Sequence, residues 1–124
     1  LVLPGAFDAI KIKISKVGGY IAARKIIDIA EAAGIKLVIG QGICSSIEAA
    51  AEAQLACAYP HVYPVAEMVG PAKLQEDLSE PALDLRSGYL DLPQGHGIGI
   101  EISRKALAKY TIGNEAVAKV GVAA

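Results

Sequence analysis

Two short apolar runs, the first alternating with period two and the second nearly continuous, each followed by a helical stretch, constrain the fold of this chain more than any other feature. In residues 8–14, Ile10, Ile12 and Ile14 point one way and Lys11 and Lys13 the other. Gly18 and Gly19 break that run, and residues 20–33 carry Ile21, Ile26, Ile27, Ile29, Ala30 and Ala33 as a broad helical stripe that Gly34 ends. Residues 35–39 form an apolar run between Gly34 and Gly40, the pattern of a strand buried on both faces. Ser45-Ser-Ile-Glu48 has capping-box spacing ahead of an alanine-rich helix over 46–58, with Pro60 beyond its end. Residues 61–66 are a third candidate strand, and Pro64, which cannot donate to a ladder, belongs at its end or at an irregularity. Strand, helix, strand, helix, strand with short connections predicts an α/β fold with a parallel sheet and right-handed crossovers. Such sheets gather ligands at the C-terminal ends of their strands. Lys13, Gln41 and Glu67 each fall at one of those ends.

The rest of the chain is less regular. Met68 to Pro71 reads as a turn, residues 74–85 are acidic and interrupted by Pro81, and 88–93 suggest a short strand. The glycine-rich 95–99 segment precedes another apolar stretch at 100–102, and Ser103 can cap a final helix reaching Tyr110. Residues 1–110 are expected to form one domain and 111–124 a tail, with 114–124 either helical or frayed.

Composition narrows the function. Twelve basic and 13 acidic residues give a net charge of −1 without a basic cluster, which argues against a nucleic-acid surface. Cys44 and Cys57 lack CxxC spacing and a histidine pattern, so free thiols are expected rather than a metal or redox pair. No apolar run approaches a bilayer-spanning length and the first residues are too short for a signal peptide, so a cytoplasmic address and no membrane partner are expected. The 95–99 run lacks the strand before it and the helix after it that a dinucleotide loop needs, and no Walker lysine is present. A turn is the better reading. His61 and His96 stand apart from each other and from carboxylate clusters, so no metal site is expected within the chain.

Several motifs, in order, resemble the C-terminal part of the barrel in the mandelate racemase/muconate lactonizing enzyme family of the enolase superfamily. They are Ile12-Lys13-Ile14-Ser-Lys-Val-Gly18-Gly19, then Ala22 to Lys25 and Ala30 to Ile35, then Glu67-Met-Val-Gly70-Pro71, and Pro93-Gln-Gly95-His-Gly97-Ile-Gly99. The resemblance implies strands six to eight of a (β/α)8 TIM barrel plus its return segment. It also implies an isomerase or lyase, muconate cycloisomerase-like, that moves a proton next to a carboxylate through a metal-stabilised enolate. The implied cofactor is Mg2+, held by carboxylates on strands three to five, which this chain does not contain. The implied partners are a small carboxylate substrate, the remaining barrel and capping segments, and further copies of the intact protein.

Lys13 then takes the role of catalytic acid or base, and Glu67 a second catalytic position at the barrel mouth. From pattern alone, a solvated strand face is an equal reading of Lys13, and packing of its stem an equal reading of Lys11. A lysine serves as a base only when its pKa falls, and Lys11, about 7 Å away along the strand, would contribute by repulsion. Lys11, Gln41 and Cys44 are the substrate-binding candidates. Cys44 stands where muconate cycloisomerases often carry a glutamate, Lys11 where relatives have Asn or Ser, and His96 in place of a proline. Without a histidine nearby, Cys44 reads as a lining residue rather than a nucleophile, and Lys16 as solvated. The rival reading is a non-catalytic α/β fragment, stable only by association through its open sheet edges.

Overall fold

The isoleucine-rich alternation at the start does form a strand, and it pairs with the next apolar run in parallel. The computed structural model describes residues 5–112. In it β1 (Ala9–Ile12) lies beside β2 (Lys36–Ile39), with Ala9 opposite Lys36 and Ile12 opposite Ile39. The short α1 (Ile14–Val17) and the longer α2 (Tyr20–Ala32) make the crossover between them. Ile12, Leu37 and Ile39 bury one sheet face against Ala23, Ile27 and Ala30 of α2 and Ala53 and Leu55 of α3 (Ser46–Ala58). That face is the core of the molecule. The other carries Lys11 and Val38 and is not sealed.

Four sequence expectations change here. β1 ends at Ile12 rather than Ile14, because the Ile14 N–H is taken by the Glu52 carboxylate at 3.3 Å and the Lys13 carbonyl accepts from Lys16 and Val17. Gly18, at φ +92°, closes the turn in a backbone region that few other residues enter easily. Only β2 residues Leu37 and Ile39 are buried, while Lys36 is exposed and Val38 half-buried, so this strand is covered on one side. The stripe on α2 is narrower than its isoleucines suggest: Ala23, Ile27 and Ala30 face the sheet, whereas Ile21 is 78% and Ile29 56% exposed. Positions 23, 27 and 30 recur at i, i+4, i+7, and 21 and 29 lie on the far side of that helix. The capping box is also incomplete. Ser45 Oγ accepts from the Ile47 N–H, but Glu48 accepts from Ser15 Oγ instead of reaching back.

The third strand is reduced to two parallel bridges, Leu37 with Val62 and Gly40 with Glu67. Between those bridges residues 62–67 use two more positions than 37–40, and Pro64 sits in the excess. Pairing resumes where it matters for the site: the Glu67 N–H donates to the Ile39 carbonyl and the Gln41 N–H to the Glu67 carbonyl. A single 3-10 turn, Pro71–Lys73, follows. The strand expected at 88–93 is absent, and the apolar stretch at 100–102 makes only one antiparallel bridge, between Ser79 and Ile102. The last helix, α4 (Arg104–Tyr110), is capped by Ser103 Oγ as expected. The expectation for 114–124 falls outside the described residues. Among those described, no helix is long and apolar enough to cross a membrane.

The N-terminus of α3 is held from a distance. Asp77 accepts from the Ser46 backbone N–H at 2.9 Å and from Ser46 Oγ at 2.9 Å, while Ser46 Oγ accepts from the Leu83 N–H. A carboxylate there meets both the free amides and the positive end of the helix dipole. It ties the irregular 74–85 segment to the strand-helix units.

Candidate active site

The parallel register places one residue from each of three chain segments in a row at the sheet's C-terminal edge. One step past Ile12 opposite Ile39, Lys13 comes beside Gly40, and Gly40 is bridged to Glu67. Gly40 has no side chain to obstruct its neighbours. A Cβ there would lie 2.8 Å from Lys11 Cδ and 3.5 Å from Glu67 Cβ. Through that gap the Lys11 stem crosses β2, and its ammonium pairs with the Glu67 carboxylate. Both side chains are nearly half exposed, so the pair is screened by water and open to exchange with another anion. The hydrogen bond from Lys11, and then its charge, hold the Glu67 carboxyl below its ordinary value, with smaller help from Lys13 and Lys73. Lys13 is half-buried, and Lys16 is exposed.

This changes what Lys11 does. Its ammonium is directed to Glu67, where it neutralises an acid.

Gln41 sits inside the protein rather than on the rim. It is 2% exposed, and both ends of its amide are occupied. Nε2 donates to Glu52 at 3.0 Å, and Oε1 accepts from the Gly70 N–H at 2.8 Å. A substrate contact through that side chain would require breaking a buried bond. Cys44 lies against the same turn, with its Sγ 2.4 Å from where a Cβ on Gly70 would be. Burial, followed by the charges of Glu48, Glu52 and Asp77, pushes its thiol up to about 11. A thiol raised in this way is a poor nucleophile near neutral pH.

Glu52 was not legible as a site residue. It is fully buried in the alanine-rich α3, where its carboxylate accepts from Gln41 Nε2 and from the Ile14 N–H. Desolvation raises its pKa, and those two hydrogen bonds and the Lys13 charge oppose the rise. The available signal was position: Glu52 lies three residues after Ala49 and three before Leu55, on the buried face of the helix.

Elsewhere, the described residues offer no metal cage. No group of three or more His, Cys, Asp or Glu among them could hold an ion. His61 has both ring nitrogens buried without a hydrogen-bond partner, and Nδ1 lies 3.4 Å from Glu31 in poor geometry for one. His96 is exposed. The glycine-rich segment is a turn, closed by the Gly99 N–H donating to the His96 carbonyl. Gly99, at φ +83°, sits so close to Pro93 that a Cβ would lie 2.6 Å from the Pro93 oxygen.

With that geometry in hand, likeness to known proteins becomes informative. The profile of the "Enolase C-terminal domain-like" family matches residues 1–106. Muconate cycloisomerase 1 of Rhodococcus opacus is 35% identical over 107 residues, covering 86% of this chain and 29% of that protein. Chloromuconate cycloisomerase of Cupriavidus pinatubonensis is 33% identical over 110 residues, 89% of this chain and 30% of its own length. The crystal structure of 2-chloromuconate cycloisomerase from Rhodococcus opacus 1CP superposes with a TM-score of 0.81 at 35% identity, over 88% of this chain and 30% of that one. The chain thus spans less than a third of the length of the relatives it matches.

Proposed function

The chain belongs to the mandelate racemase/muconate lactonizing enzyme family of the enolase superfamily, and from that premise we propose that it forms part of a cycloisomerase-like enzyme. In this reading β1, β2 and the bridged segment after them are strands six to eight of a (β/α)8 barrel. The intact enzyme moves a proton at the carbon next to the carboxylate of a small substrate. Lys13 is the acid or base at that carbon, and Glu67 is the second catalytic group on the same rim. Lys11 is a cation that a substrate carboxylate can reach by replacing Glu67, and Cys44 lines the site.

The observation that carries this reading is the row Lys13, Gly40, Glu67. Three parallel segments deliver an amine and a carboxylate to one edge, with a glycine between them whose missing side chain makes room for the Lys11 stem that reaches Glu67. The likeness to cycloisomerases over almost the whole described chain supports it. An amine so placed can accept or return a proton, which contributes about 10²–10⁴-fold when positioned correctly. The described residues do not fit a metal site by themselves. The Mg2+ that the family resemblance implies would be held by carboxylates from outside this chain, and would supply charge stabilisation to an enolate.

The test uses the intact polypeptide with muconate and chloromuconate as substrates. Wild-type protein should convert one or both to a lactone. Lys13→Ala should lose turnover by about a thousandfold or more while its circular dichroism and melting profile match wild type. Near-normal turnover by a folded Lys13→Ala would sink the assignment.

A further inference from the structure

The buried carboxylate of Glu52 lies beneath the rim, yet it bonds two of the segments that make the rim directly and the third through Gln41. One oxygen accepts from the N–H of Ile14, the residue directly after Lys13, at 3.3 Å. The other accepts from Gln41 Nε2 at 3.0 Å, Gln41 follows Gly40, and Gln41 Oε1 holds the Gly70 N–H at 2.8 Å in the turn after Glu67. The Gln41 backbone N–H also donates to the Glu67 carbonyl. A short chain of buried hydrogen bonds thus runs from helix α3 beneath the ends of all three segments. Neither Glu52 nor Gln41 is more than 2% exposed, so water does not compete for these bonds.

A carboxylate is well suited to this place, because two N–H donors converge on it and it has no donor of its own to satisfy. A hydrophobic residue would fill the volume but leave the Ile14 N–H and one Gln41 N–H unpaired. Burying a charge in α3 is otherwise unfavourable. That points to a function for its direction rather than its bulk.

We propose that Glu52 is a positioning residue that fixes Lys13 relative to Glu67, acting on one side through the Ile14 amide and on the other through Gln41 and the Gly70 amide. The proposal rests on the reading of Lys13 and Glu67 as the proton-transfer groups. Its geometric part stands apart from that reading and is measured separately.

The experiment compares, in the intact protein, Glu52→Gln, Glu52→Ala and the double exchange Glu52→Gln with Gln41→Glu. In Glu52→Gln a single amide oxygen cannot serve both donors, so one end of the relay opens. The double exchange rebuilds it with reversed polarity. The new amide at 52 accepts from the Ile14 N–H and donates to the new carboxylate at 41, which accepts from the Gly70 N–H. Positioning predicts that Glu52→Gln lowers kcat about tenfold or more, as small misplacements of reacting groups do, with KM held within about twofold. The double exchange should restore most of kcat. Amide hydrogen exchange should show Ile14 or Gly70 opening in the single variants and closing again in the double one.

A purely structural role predicts lower stability but unchanged kcat per folded molecule, with no rescue. That result overturns the proposal while the Lys13 reading stands. If Glu52→Ala does not fold, Glu52→Gln and the double exchange decide the matter. If Lys13→Ala retains turnover, the functional reading fails, and the amide exchange of Ile14 and Gly70 alone decides whether the relay holds the rim.

Discussion

Two polar groupings sit at the same end of this sheet, one on its rim and one just beneath, and they obey opposite physics. On the rim, Lys11 and Glu67 pair in water at nearly half exposure. Beneath it, Glu52 and Gln41 are buried, with Gly70 as a third partner. An exposed pair contributes little to stability and exchanges partners readily. A buried pair contributes direction, and losing one member strands the other. In the proposed enzyme the rim would change contacts during the reaction, and the layer below it would keep the rim where it is.

That contrast predicts the largest effect for a change in the lower layer. Gln41→Leu leaves the Gly70 N–H and one Glu52 oxygen without partners, and should lose about 3 kcal/mol in a denaturant melt. A loss too small to measure would mean that the lower layer is no more constraining than the rim. Asp77→Ala removes the acceptor at the start of α3 and should lose about 1–2 kcal/mol, with the amide of Ser46 opening to hydrogen exchange. On the rim, Lys11→Met should leave the melting midpoint within error of wild type. In the intact enzyme it should instead raise KM for the carboxylate substrate. An unchanged KM would remove Lys11 from the substrate contacts.

The two layers also answer pH in opposite directions. Glu67 has a lowered pKa in the fold, so its contribution to stability is present above the ordinary glutamate range and is lost as pH falls through its folded value. Glu52 has a raised pKa, so its contribution is present below the unfolded value and is lost as pH rises through its folded one. Melts of Glu52→Gln against wild type should therefore show the variant gaining relative stability as pH rises above about 4.3. The smallest effect is chemical. At pH 8 the exposed Cys57 should alkylate first, and Cys44, with its thiol at about 11, should react far more slowly.

Much of this was readable from local pattern. The parallel order of the first three segments, the span of α3, the irregularity at Pro64 and the Ser103 cap all follow from spacing or from one residue's chemistry. The misses share a cause, since each was decided by a partner distant in sequence. β1 stops early because Glu52, 38 residues on, takes the Ile14 amide. The capping box fails because Glu48 finds Ser15, 33 residues away. Ile21 and Ile29 look like core residues until the sheet selects the other side of α2. Lys13 and Glu67 stand out in the sequence because each ends a strand-like run. Gln41 ends the second run, but its bonds to Glu52 and Gly70 do not follow from spacing, and Glu52 is hidden among alanines.

The central claim is that Lys13 carries the proton. The most direct measurement follows deuterium from solvent into the carbon next to the product carboxylate, for intact wild-type protein and for Lys13→Arg. Arginine keeps the charge but does not release its proton near neutral pH. Incorporation by wild type and none by the variant is the predicted result. Incorporation by Lys13→Arg at the wild-type rate would contradict the account.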